Sequence, residues 1–156
     1  MERFSQNETR SFPINPSKDE ADWFQICKDV IASENKQGIA VLTQRFVTLM
    51  SVSFRKRKWK ELAFSSECLI QLRGNPLEWW QQILALHQLG NQESLGNAIE
   101  KLEEQFPKKF ITLIARSLLL YEAKPDEAFE LLKDIDPTKM AVFHALGTLG
   151  RMCLRV

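Results

Sequence analysis

The sequence predicts an all-α protein, a short helical-repeat α-α superhelix of about eight helices, and three observations carry that prediction. Apolar residues recur at intervals of three and four along most of the chain, the period of a helix with one buried face. No segment shows the period-two alternation, bounded by turn residues, that a half-buried strand would show. Glycine and proline fall where one helical pattern stops and the next starts, at Gly38, Gly74-Asn75-Pro76, Leu89-Gly90-Asn91 and Asp136-Pro137.

Composition sets the limits. The 156 residues suit one domain with its own core, over 17–156, behind a polar N-terminal tail over 1–16 that carries two prolines and no periodicity. A net charge of +1 gives no bulk attraction to nucleic acid or to an anionic membrane, so neither is expected as a partner. Three widely spaced cysteines, Cys27, Cys68 and Cys153, suit reduced thiols in a cytoplasmic protein better than a disulfide framework. No metal-ligand spacing, membrane-length apolar run or signal-peptide core is present. The expectation is a cytoplasmic protein without cofactor or metal.

The elements follow in order. Ser17 reads as an N-cap, with Asp19 and Glu20 in a first turn whose dipole favours carboxylates, and the helix runs to about Ser33 with Trp23, Ile26, Cys27, Val30 and Ile31 on one face. Residues 34–38 break it. A second helix spans about 39–54 with Val41, Leu42, Phe46, Leu49 and Met50 in a stripe. The basic linker 55–58 leads to a third over about 59–73 with Leu62, Ala63, Cys68, Leu69 and Leu72 inward. Residues 77–107 hold two more helices around the Leu89-Gly90-Asn91 turn. Residues 110–121 are strongly apolar and belong in the middle of a stack. Pro125, followed by acidic residues, starts a short helix facing in through Ala128, Leu131 and Leu132. Asp136-Pro137 starts a last one through Met140, Phe143, Leu146 and Leu149.

Within 77–107, Trp79 precedes Gly90 by eleven residues and Pro107 by twenty-eight, while Phe46 precedes Trp79 by thirty-three. With Leu86 and Ile99, this spacing resembles the 34-residue tetratricopeptide repeat, in which an aromatic opens the first helix, a glycine breaks it and a proline ends the second. The likeness covers about 42–154 and is soundest in this unit. Ile83, Leu95 and Leu102 stand where the family places small residues, so helix axes should be pushed apart and the pitch irregular.

The resemblance also implies where function lies. The first helices of such repeats line a concave wall, which assigns Val47, Ser51 and Phe54 to it, then Leu77, Trp80, Leu84, His87 and Gln88, then Thr112, Arg116 and Leu119, and last His144, Thr148 and Arg151. Adjacent helical residues point about 100° apart, so Trp79 is expected in the core and Trp80 on the wall. Apolar residues with Arg116 and Arg151 suit an amphipathic helix or peptide of some acidic character.

Catalysis has little to start from. His87 and His144 are the only groups that titrate near neutrality unperturbed, and neither sits in a recognisable motif. Cys153 lies nine residues from His144, too far along a helix for a nucleophile to meet its base. The basic run 55–60, RKRKWK, reads as a solvated inter-helix turn, its alternatives being an import signal, a phosphate patch or an acidic-partner contact.

The expected function is therefore that of a non-catalytic chaperone or adaptor holding a helical or extended segment of a partner protein. By length and plan it is similar to the tetratricopeptide-like chaperones of type III secretion, a likeness that implies a small helical co-chaperone. The alternative is a structural subunit of a larger complex, or a homodimer, docking through the C-terminal helix at Met140, Phe143, Leu146 and Leu149.

Overall fold

A helix ends where the following residues can satisfy its last carbonyls, and this chain does so repeatedly in one way. The computed structural model describes residues 16–136 and Thr138. Among these residues it has seven α-helices and no strand: α1 Pro16–Ala32, α2 Lys36–Arg55, α3 Trp59–Leu72, α4 Pro76–Leu89, α5 Gln92–Gln105, α6 Phe110–Leu120 and α7 Pro125–Leu132. The protein is all-α. The expected tail, save Pro16, and the expected last helix beyond Pro137 lie outside the described residues.

Three junctions share one geometry. After α1, Glu34 takes a φ of 51°, its N–H donates to Ile31, and the next N–H, of Asn35, reaches back to Val30. After α2, Arg57 (φ 54°) and Lys58 donate in the same way to Phe54 and Ser53, and after α4, Gly90 (φ 71°) and Asn91 donate to His87 and Leu86. This paired closure through a left-handed residue is the Schellman motif. The residue after it is at once the N-cap of the next helix, with φ/ψ of −74°/87° at Asn35, −87°/81° at Lys58 and −86°/84° at Asn91. Two residues thus close one helix and open another.

The junctions explain where expected boundaries shift. Ser17 lies inside α1, which starts at Pro16, the position where a missing N–H costs nothing. α2 starts three residues before the expected Ile39 because Asn35 Oδ1 accepts from the Gly38 N–H at 2.9 Å. Gly38 breaks nothing; it is a first-turn residue whose missing Cβ leaves room for that cap. At the far end, Asp136 Oδ1 accepts from the N–H and hydroxyl of Thr138 at 3.0 and 2.7 Å, an Asx-turn contact. The hydroxyl first, then the N–H, hold the Asp136 carboxyl below the usual range.

The α2–α3 junction is the least well suited to its shape. Where α4–α5 has Gly90 and a capping Asn91, it has Arg57 in the left-handed region and Lys58 with no side-chain cap. Arg57→Gly with Lys58→Asn is expected to stabilise the protein by about 1–2 kcal/mol, from relief of the left-handed strain and one new cap. The Lys58–Glu61 pair it removes, 3.2 Å apart with the lysine half in water, is worth a few tenths. Urea denaturation measures the gain, and an unchanged midpoint would count against the junction reading.

The chain divides into two compact units between Ala85 and Leu86. In the first, α2 packs on α3 and α1 packs on both. Their shared core holds Trp23, Cys27 and Val30 of α1, Leu42, Phe46, Leu49 and Met50 of α2, and Leu62, Phe64, Cys68, Leu69 and Leu72 of α3, with Ala85 of α4. Phe46 is its centre: its ring meets Trp23 and Phe64 edge-on, at centroid distances of 5.8 Å to each. Ser53 Oγ ties α2 to Glu61 of α3 at 3.2 Å. In the second unit, α6 packs against α5 and α7. Ser117 Oγ donates to Leu113 at 2.8 Å and lies 3.3 Å from the Ala128 carbonyl of α7, so this buried hydroxyl finds its partners in backbone.

Candidate functional site

The expected site centred on the concave-wall face of α4, and the helix is built differently. Residues 78–86 are all buried, nine in succession, so this stretch is covered on every side. Trp79 is buried, as expected for a core anchor, and so is Trp80, which has none of its surface in water. The 100° between neighbours holds; what fails is the assumption that α4 has only one buried face. Leu84 is likewise buried.

Covering a helix all round forces a solution for its polar side chains. Glu78 is fully buried and receives three N–H groups: Arg73 Nε at 2.8 Å, Arg73 Nη2 at 2.5 Å, and the Asn75 backbone N–H at 2.6 Å. The Asn75 carbonyl in turn accepts from the N–H groups of Glu78 and Trp79. Glu78 is thus the returning carboxylate of a capping box, clamped by the arginine that closes α3. Gln82 meets Ser66 of α3, oxygen to oxygen 2.6 Å apart, in a buried contact. Gln81 Oε1 is buried with no hydrogen-bond partner.

Glu78→Ala is expected to cost about 2–3 kcal/mol, the lost cap plus a broken buried pair. That is less than for a fully buried pair, because 37% of the Arg73 side chain stays in water. Denaturant titration of the variant checks it. A cost below about 0.5 kcal/mol, ordinary for a surface carboxylate, would contradict the clamp.

The other expected wall residues fall into three groups. Leu77 and Gln88 are exposed, and lie on one stripe of α4 with buried Leu84 between them. Val47, Phe54, His87, Arg116 and Leu119 are half-buried, with Val47 and Phe54 packed against the first unit's core. Thr112 is buried, its hydroxyl donating to the Phe106 carbonyl at 2.8 Å, which is a helix-start contact and not a surface one. Ser51 is exposed. His144, Thr148 and Arg151, and the docking residues Met140, Phe143, Leu146 and Leu149, lie outside the described residues.

Arg116 has an internal partner. Its Nε donates to Glu103 of α5 at 2.9 Å and its Nη2 to the other carboxylate oxygen. Hydrogen bonding to Glu103 raises the Arg116 pKa. The forked pair joins α5 to α6, so the charge is not a free anchor for an acidic ligand.

The basic run is the α2–α3 junction itself: Arg55 ends α2, Lys56 and Arg57 turn the chain, and Lys58 caps α3, all four exposed. Trp59 is half-buried against the first unit's core. Among the described residues no group of three or more His, Cys, Asp or Glu side chains could hold a metal ion, and no helix is long and apolar enough to cross a membrane.

No family model, curated protein or solved structure matches the chain.

Proposed function

We propose that the protein is a non-catalytic binding module, a cytoplasmic chaperone or adaptor that holds a helical or extended segment of a partner protein. The observation that carries this reading is the repeated junction. Three helix-to-helix junctions closed in the same way support assembly from like helical units, and helical-repeat arrays serve mainly as binding surfaces. The tetratricopeptide-like chaperones of type III secretion are the more specific form of the proposal, with a small helical co-chaperone.

Burial moves the expected contact surface. It is led by Leu77, 42% exposed, with Gln88 three turns further along the same stripe, and His87 beside it. An exposed leucine aligned with a carboxamide suits the apolar face and flank of a partner helix. Leu77→Asp together with Gln88→Glu should abolish capture of the partner that copurifies with the unaltered chain, while the far-ultraviolet circular dichroism stays the same. Capture retained by the folded variant would contradict the placement.

A second reading, a structural subunit or homodimer docking near the C-terminal end, has its own support. Phe129 of α7 is 39% exposed and Leu118, Leu119 and Leu120 of α6 are only half-buried. Sedimentation of the unaltered chain and of Phe129→Asp decides it: a dimer converted to a monomer favours docking, and a monomer throughout removes it.

A further inference from the structure

The charges of this chain are unevenly placed. Between Glu34 and Glu61 it carries seven basic residues and no acidic one, and five of the seven, Arg55, Lys56, Arg57, Lys58 and Lys60, fall at the α2–α3 corner. All five are exposed. Among the described residues only Lys58 of the five is held in a salt bridge, to Glu61 at 3.2 Å, and over half of its side chain stays in water.

The corner keeps these charges against its own geometry. Arg57 has a φ of 54° where Gly90 stands in the equivalent place after α4, and Lys58 occupies the N-cap that Asn35 and Asn91 fill elsewhere. The two asparagines accept from the N–H groups of Gly38 and Ser94 at 2.9 and 3.1 Å, whereas a lysine side chain has no atom that can accept. Two successive positions thus hold a cation where an uncharged residue would close the turn better. Residues that break a local rule in this way are expected at functional positions.

We propose that this corner binds a short segment of the partner protein rich in aspartate and glutamate, an inference that rests on the reading of the chain as a module holding a protein segment. The guanidinium forks of Arg55 and Arg57 match carboxylates, and the lysines beside them add charge. The charge balance selects a short segment over a long polyanion. The net charge is +1, so without these five cations the chain would carry −4. Nucleic acid or an anionic membrane would extend past the corner onto a surface that is net acidic, while a segment of a few residues stays within it. The attraction between exposed charges is screened over about 10 Å near 0.1 M salt, so binding weakens as salt rises.

The test uses the full chain and fluorescein-labelled hexaglutamate, followed by fluorescence anisotropy at low salt. Hexaglutamate should bind and hexaglutamine should not. Arg57→Gly with Lys58→Asn should weaken hexaglutamate binding about fivefold to tenfold while the protein melts higher, so loss of the fold cannot explain the loss of binding. Lys56→Gln with Lys60→Gln, which leaves the left-handed residue and the N-cap in place, should weaken it to a similar degree. Lys28→Gln with Lys101→Gln removes the same charge from exposed positions on α1 and α5 and should leave binding within about twofold. Equal weakening by all three pairs would overturn the corner in favour of net charge, and unchanged binding by both corner variants would overturn it outright. Tighter binding of an oligothymidylate of the same charge, or of phosphatidylserine vesicles, with the same loss in the corner variants, would overturn the acidic segment. Hexaglutamate reports the corner and the copurified partner reports the α4 surface, so either reading can fail alone.

Discussion

Trp80→Ala is expected to lower the unfolding free energy by about 3–5 kcal/mol, the cost of emptying a large buried site that collapses only in part. Trp80 has no surface in water and is the largest of the fully buried side chains. Most small domains have about 5–15 kcal/mol in all, so the variant should be partly unfolded at moderate temperature. Urea denaturation followed by circular dichroism measures the loss. A loss under about 1 kcal/mol, typical of surface positions, would mean that Trp80 is not architectural. The result also decides how binding is tested, because a tryptophan that supports the fold cannot be removed to interrogate a groove.

Phe46→Ala should cost a similar amount, about 4 kcal/mol, for reasons that a second substitution can separate. Phe46 is fully buried, and its ring meets those of Trp23 at 84° and Phe64 at 78°, both edge-to-face. Such pairs add about 0.5–1.5 kcal/mol each beyond burial. Phe46→Leu keeps most of the buried area and loses the rings, so it should cost about 1–2 kcal/mol. Chemical denaturation of both variants gives the comparison. A Phe46→Leu loss near zero would show that the aromatic geometry contributes nothing of its own.

The helices were legible because apolar periodicity survives in every one of them, and Gly74, Pro76, Gly90 and Pro125 mark boundaries by residue type. Two features were hard to read. Arg57 and Glu34 take the left-handed conformation that a reader assigns to glycine, so the equivalence of their junctions with Gly90 is visible only in torsions and hydrogen bonds. The setting of α4 does not follow from the pattern of a helix with one buried stripe. A signal was available: between Glu78 and Glu93 there is no Asp, Glu, Lys or Arg at all, which is the composition of a helix covered on every side.

The candidate site was legible only in part, for a physical reason. Helical periodicity gives the face a residue occupies, and Leu77 and Gln88 are exposed near the two ends of α4. It does not specify which charges are consumed internally. Arg116 is satisfied by Glu103 thirteen residues earlier, and Glu78, absent from the expected site, receives three N–H groups. The Arg116–Glu103 pair is too distant in sequence for a local pattern to reveal it, whereas Asn75 and Glu78 stand three apart, at capping-box spacing.

The α4 stretch 78–86 is covered architecture, and the proposed contact surface rests on what the ends of α4 leave exposed. Native-state amide hydrogen exchange tests it most directly. Amides in residues 82–86, whose own carbonyl partners lie within α4, should exchange only through global unfolding and be among the most protected in the chain. Exchange there as fast as at the frayed ends of α1 would contradict the claim, and would return Trp80 and Leu84 to an open surface.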